Sequence, residues 1–143
     1  MKNTIAERVA DFLKRYPPFQ FLEPDSLLQI AGQVQVLYFE KDKPIFKEKD
    51  TNHTMFYVVK DGAVRLFRTV DNEPKIADIC DEGDLFGLRP LITKEDYELS
   101  ASANEESILY GIPIDLFLPI ALEHKAVSNF LIATFASNVS DPY

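Results

Sequence analysis

Tryptophan is absent from the 143 residues, cysteine occurs once, histidine twice and glycine only five times. A single cysteine, Cys80, excludes an internal disulfide, and its setting in an apolar strand pattern predicts a buried, inert thiol. Two histidines, His53 in a turn and His124 between helices, leave a multi-histidine metal centre short of ligands and are expected to be ordinary surface residues. The chain also lacks a Gly-x-Ser-x-Gly elbow, a P-loop and a His-Glu-x-x-His run, and no histidine accompanies a serine or cysteine nucleophile. Glu105-Glu106 falls at a turn, where solvation accounts for the pair better than acid–base work. No catalytic residue and no metal site are therefore expected, and the chain reads as a non-enzyme.

Long hydrophobic runs are missing as well. No stretch approaches the ~18 apolar residues of a membrane helix, and the start, Met1-Lys2-Asn3-Thr4, leads into an amphipathic pattern without the apolar core of a secretory signal. A cytoplasmic protein with no membrane partner is expected. Basic residues are the scarcer sign: 15 Lys and Arg against 23 Asp and Glu give a net charge of −8 and a pI near 4.7. With no basic cluster to offset that field, nucleic acid is not an expected partner. A small anion remains open, because backbone N–H groups and one arginine can make a locally positive pocket.

What is present is one domain of ordinary globular composition, 46% hydrophobic and 27% charged. Thr4-Ile5-Ala6-Glu7 has the form of a capping box, and Ile5, Val9, Phe12 and Leu13 recur at helical spacing until Pro17-Pro18. Pro24 suits the first turn of a second helix with Leu27, Leu28, Ile30, Ala31 and Val34 on one face and Gly32 near its end. Helices are thus expected over about 4–32. Strand-like runs follow at 36–39, 45–46, 55–59, 64–67, 76–80 and 107–110, with Asp61-Gly62 and Asp71-Asn72-Glu73-Pro74 as turns. After Pro113, Leu116, Phe117 and Ile120 mark one helix, and Val127, Phe130, Leu131, Thr134 and Phe135 the next. The predicted class is mainly β with flanking helices: a double-stranded β-helix, or jelly-roll, barrel over about 35–112, with N-terminal helices and two C-terminal helices over about 114–138. Two readings are open for the last helix, an apolar stripe packed on the barrel or the seam of a homodimer. A jelly roll of the cupin type would need histidines this chain does not have.

Five segments carry a family resemblance by their order and spacing. They are Phe19 with Leu22, the run 39–45, Phe56-Tyr57-Val58-Val59-Lys60-Asp61-Gly62-Ala63-Val64, Glu82-Gly83-Asp84-Leu85-Phe86-Gly87, and the stretch from Ala103 to Ile112-Pro113. Together they resemble the cyclic-nucleotide-binding domain family, which includes catabolite activator proteins and kinase regulatory subunits, over nearly the whole chain. The resemblance implies a regulatory domain in signal transduction whose phosphate cassette begins at Phe86. Amides near Gly87, Leu88 and Arg89, at a helix start, would face a cyclic phosphate; a tight strand-to-helix turn with no ligand is the other reading.

Two positions depart from the family pattern. Leu88 stands where a glutamate accepts from the ribose hydroxyl, and Tyr97 where an arginine grips the phosphate. A tyrosine gives one neutral hydrogen bond where a guanidinium gives a charge-assisted pair. The expected ligand is therefore a non-standard nucleotide or another phosphate-containing anion, or none. Arg89 either enters the pocket or turns to solvent, Glu95 or Asp96. Ser100 and Ser102 alternate with Ala101 and Ala103, so one hydroxyl pair either faces a cavity or lies on an exposed face. Asp42 and Lys49 replace turn glycines of the family, and the lysine turn is expected to differ. The run from Phe86 to Leu91, with Tyr97 and the ending at Tyr143, is similar to sensor domains that precede paired CBS domains and a nucleotidyltransferase. That likeness implies further domains downstream.

Overall fold

The computed structural model describes residues 4–137; the tail 138–143, with the expected end of the last helix, lies outside the described residues. Helix α1 (Thr4–Leu13) buries Ala6, Val9, Phe12 and Leu13. Ile5, expected on that face, is exposed, because Ala6, Val9 and Leu13 make the line of the 3.6-residue period that meets the core. A 3₁₀ turn (Phe19–Phe21) leads to α2 (Pro24–Ala31), which opens on its proline and buries Leu27, Ile30 and Ala31 while Leu28 turns outward.

Eight strands follow: β1 (Gln35–Phe39), β2 (Pro44–Phe46), β3 (Met55–Asp61), β4 (Val64–Val70), β5 (Glu73–Cys80), β6 (Leu85–Phe86), β7 (Ser100–Ala103) and β8 (Ser107–Pro113). Helix α3 (Arg89–Thr93) separates β6 from β7, and α4 (Ile114–Glu123) and α5 (Lys125–Ser137) end the described chain. The strands form two antiparallel four-stranded sheets in the orders β1-β8-β3-β6 and β2-β7-β4-β5. The expected closed barrel is thus a jelly-roll-like sandwich. Closure needs paired edges, and here the edge strands β2 and β6 are only three and two residues long, so the sheets meet face to face through side chains.

Strand β3 organises two cores. Phe56 and Val58 join a cluster with Phe12, Leu13, Phe19, Ile30, Ile112 and Phe117, between one sheet and the helices. Tyr57 and Val59 point the other way and pack between the sheets with Val64, Leu66, Cys80, Phe86 and Leu109. Burial on both faces explains why β3 reads as an unbroken apolar run rather than an alternating one.

Turn chemistry follows the sequence closely. Gly62 closes the β3–β4 hairpin at φ +92°, and Asp71 and Asn72 carry the β4–β5 turn at φ +55° and +65°. Glu73 and Pro74, expected in that turn, begin edge strand β5, where a missing N–H is tolerated. Asp42 and Lys49 both adopt left-handed geometry, at φ +71° and +70°. Lys49→Gly is accordingly expected to raise stability by up to about 1 kcal/mol in urea unfolding, the relief of a left-handed Cβ exceeding glycine's entropic cost.

The stripe on α5 rests on its own domain. Val127 and Leu131 are buried, Phe130 and Phe135 pack half-buried against the same core, and the Phe130 ring lies 6.1 Å from Phe21. Leu122 and Ile132 remain exposed. Among the described residues no single helix is long and apolar enough to cross a membrane; α4 and α5 are bent by 111°.

Candidate functional site

Strand β6 delivers the cassette. Phe86 is fully buried between the sheets, its ring 5.3 Å from that of Tyr57. At Gly87 the chain turns through φ +79°, and a Cβ there would stand 3.1 Å from the Phe46 ring. Glycine suits the position on both counts. The one-and-a-half-turn helix α3 starts next, its second residue, Pro90, having no N–H to offer a ligand.

Leu88 is fully buried but belongs to the helix-side core, not to the space beside Gly87. Arg89 edges that space, while its guanidinium lies 5.7 Å over the ring of Phe135 on α5. It thus lines the cavity and reaches the C-terminal helix at the same time. Such a cation–π contact contributes roughly 0.5–1 kcal/mol at an exposed site.

Tyr97 lies on the other wall. Its ring is only 4% exposed, meets Phe46 edge-on at 4.5 Å and His53 at 4.9 Å. The hydroxyl is buried and, among the described residues, has no hydrogen-bond partner. Burial, with Tyr57 and Asp50 nearby, pushes its pKa up, so the group stays a neutral phenol. Burial likewise raises the pKa of Tyr57, and keeps the enclosed Cys80 thiol protonated and inert as expected. Between Phe46, Gly87, Pro90, Thr93, Tyr97 and Leu99 a cavity of about 40 Å³ is left. Ligand pockets run to roughly 300–1,000 Å³, and one water needs about 10–15 Å³ of such space. A few waters fit in this space and a nucleotide does not; wider open clefts lie beside it, one of about 430 Å³ lined by Phe46, Ser100 and Ser102 and one of about 610 Å³ lined by Arg68, Tyr97 and Glu98.

The β2–β3 loop covers this wall. Lys49 N–H donates to the Tyr97 carbonyl at 2.7 Å, and Tyr97 N–H donates to the Asp50 carbonyl at 3.2 Å. Asp50 in turn accepts from Lys47 N–H at 2.9 Å and pairs with the His53 ring nitrogen at 3.0 Å. These bonds hold its carboxyl below the usual carboxylate range, the Lys47 N–H first. Ser100 Oγ accepts from Glu48 N–H at 2.9 Å. Ser100 and Ser102 thus lie on the opposite face of β7 from the fully buried Ala101 and Ala103 and line a neighbouring cleft of about 430 Å³, and the Ser100 hydroxyl also anchors the loop.

Of the six residues singled out in the sequence, Gly87, Arg89 and Tyr97 line the cavity and Phe86 packs in the core beside it, Leu88 lies in the helix-side core, and Ser100 lines a neighbouring cleft with Ser102. Phe46, Asp50 and His53 are the residues the sequence reading missed. His53, expected at the surface, is half-buried against Tyr97; His124 is half-buried too, with its Nδ1 2.8 Å from the Ile120 carbonyl. The His53 contact with Tyr97 joins distant segments and leaves no sequence signal, whereas the His124 bond is a local one, to a carbonyl four residues back. Charge gathers only at the cavity mouth, where Arg68 lies 3.9 Å from Glu98 beside Glu95 and Asp96. No group of three histidine, cysteine or carboxylate side chains among the described residues is arranged to hold a metal ion.

Comparison with known proteins agrees with this anatomy. No curated protein matches the chain. Among solved structures, the sensor domain of the transcriptional regulator DNR from Pseudomonas aeruginosa superposes with a TM-score of 0.82 at 18% identity, over 92% of this chain and 89% of that one. Thermus thermophilus catabolite activator protein gives 0.71 at 27% identity, over 82% of this chain and 55% of that one. The regulatory domain of Toxoplasma gondii PKA, in co-crystal with cAMP, gives 0.78 at 19% identity, over all of this chain and 57% of that one. The chain thus spans little more than half the length of the latter two. Residues 36–124 match the family described as the cyclic nucleotide-binding domain, and the match extends from β1 through the cassette to the end of α4. The chain belongs to the cyclic nucleotide-binding domain family.

Proposed function

We propose that this is a regulatory domain of the cyclic-nucleotide-binding fold that works without the usual cyclic nucleotide, its cassette having been rebuilt around Tyr97. One observation carries this reading: the Tyr97 ring packs on Phe46 beside Gly87 and leaves about 40 Å³. Leu88 is buried in the helix-side core and offers no acceptor, and Arg89, at the edge of the cavity, has its guanidinium over Phe135. Signalling then runs through the contact of α3 with α5, and any input must favour one arrangement of those helices over another.

Thermal unfolding with cAMP and cGMP tests the proposal. A true ligand at ~100 times its dissociation constant stabilises by about 2.7 kcal/mol. No shift is expected from either nucleotide at millimolar concentration, and a saturable rise in Tm with either would overturn the reading. A compact phosphate-containing anion at the Gly87 turn is the remaining ligand class, and inorganic phosphate in the same titration addresses it. The similarity of the cassette also supports a place at the head of a longer polypeptide with CBS and nucleotidyltransferase domains. A second reading is an interaction domain that forms a homodimer along α5; Leu131 of that expected seam is buried and Phe130 and Phe135 are half-buried, which leaves Ile132 of α5, 66% exposed, and Leu122 near the end of α4, 65% exposed, as its support.

A further inference from the structure

The unpartnered Tyr97 hydroxyl poses a question that the proposed function does not answer. A buried hydroxyl without a partner costs about 1–3 kcal/mol, so the hydroxyl is not what draws this side chain inside. The ring is. It contacts Phe46 at 4.5 Å edge-on and His53 at 4.9 Å, and the inner wall beside it is Gly87, Pro90 and Leu99. Such edge-on and tilted pairs are the favourable aromatic geometries, each worth more than the area they bury. The charged groups, Arg68, Arg89, Glu95, Asp96 and Glu98, are partly or fully exposed at the mouth, and the three carboxylates outnumber the two arginines. The interior is thus shaped for a neutral aromatic ring, not for a phosphate.

We infer that Tyr97 is the resident occupant of this site: its phenol ring fills the place of a diffusible ligand and holds the β2–β3 loop shut on the cassette. Loop and occupant, far apart in sequence, are joined by backbone hydrogen bonds. Lys49 N–H and the Asp50 carbonyl bracket the Tyr97 backbone, and His53, held by Asp50, lies over the ring. Any molecule that entered would have to displace the ring, and the class that matches the vacated wall is a small uncharged phenol. The inference rests on the proposed function and names what keeps the site closed.

Three variants and one probe test it. Tyr97→Phe keeps the ring and removes only the unpartnered hydroxyl, so its Tm should equal or exceed that of the native chain. Tyr97→Ala vacates the site and should lose roughly 10 °C or more, the scale of other buried aromatic deletions. Adding p-cresol should then restore Tm saturably, by roughly 4 °C at about ten times its dissociation constant, and slow amide exchange at Lys49, while leaving the native protein unmoved. If Tyr97→Ala is unfolded at rest, the same rescue is read as recovered near-ultraviolet circular dichroism with p-cresol. Tyr97→Asp, which puts a charge where the wall is apolar, should bind no p-cresol. A fall in Tm for Tyr97→Phe, or failure of p-cresol to rescue Tyr97→Ala, overturns the inference. Stabilisation of the native chain by a cyclic nucleotide would instead overturn the proposed function, so the two failures are told apart.

Discussion

Phe117→Ala is expected to lower the unfolding free energy by about 3–5 kcal/mol, the usual cost of deleting a buried phenylalanine. Phe117 is fully buried, its ring 4.9 Å from Phe56 on β3 and 5.8 Å from Phe19 in the 3₁₀ turn. It is the side chain by which α4 grips both the sheet and the N-terminal helices. Domains of this kind have only about 5–15 kcal/mol of stability in total, so the loss is a large share. Urea unfolding should show a lower midpoint with an unchanged slope, since the surface exposed on unfolding is nearly the same. Leu118→Ala on the same helix removes a half-buried side chain packed on the same core and should cost distinctly less. If the two substitutions cost the same, the helix is not anchored through Phe117.

Much of this fold was legible in the sequence because local chemistry and tertiary position agree. Asp61-Gly62 and Asp71-Asn72 form turns at the expected places, and Pro24 opens α2. The strand runs at 55–59 and 64–67 lie within β3 and β4. Closure was not legible. Whether two sheets seal into a barrel depends on the length of edge strands such as the two-residue β6, too short to leave any periodic signal. Ile5 and Leu28 were placed on buried faces by helical spacing alone, yet only one stripe of each short helix meets the sheet, and they fall outside it.

The site was legible by position and not by direction. Gly87 was recognised through the family pattern, and it lies at the strand-to-helix turn with φ +79°. Tyr97 was read as a weak hydrogen-bond donor, whereas its ring packs and its hydroxyl goes unused. Nothing in the local sequence says which way that ring points. Its direction is set by Phe46 and His53, more than forty residues earlier, and by a loop whose bonds to Tyr97 are backbone bonds without side-chain signature. Arg89 was free to serve either side of the cassette, and Phe135 on α5 offers it an aromatic face. Leu88 follows the plainer rule that an isobutyl group seeks a core, here the one shared with Leu131.

Gly62→Ala is the second substitution with a large expected effect, and it acts through the backbone. At φ +92° an alanine is strained, and its Cβ would overlap the Glu106 carbonyl and the Ser107 hydroxyl and lie 2.8 Å from Ser107 Cα. Little there can yield. Ser107 Oγ is fixed between the β3–β4 hairpin and the β7–β8 turn: it accepts from Ala63 N–H at 3.1 Å and lies within donating distance of the Glu105 carbonyl at 2.8 Å. Relief of the overlap separates the two turns and leaves the Ala63 N–H without its acceptor. The left-handed Cβ costs about 1–2 kcal/mol and the orphaned buried amide about 1–3, so a total near 3–4 kcal/mol is expected. Gly32→Ala is the control: that glycine has an ordinary helical φ of −66° and room for a methyl group, with the nearest atom 3.5 Å away. Its unfolding free energy should stay within about 0.5 kcal/mol of the native value or rise, since alanine is the better helix former. Equal losses for the two glycines in urea unfolding would mean that the hairpin is not held by the Gly62 to Ser107 approach.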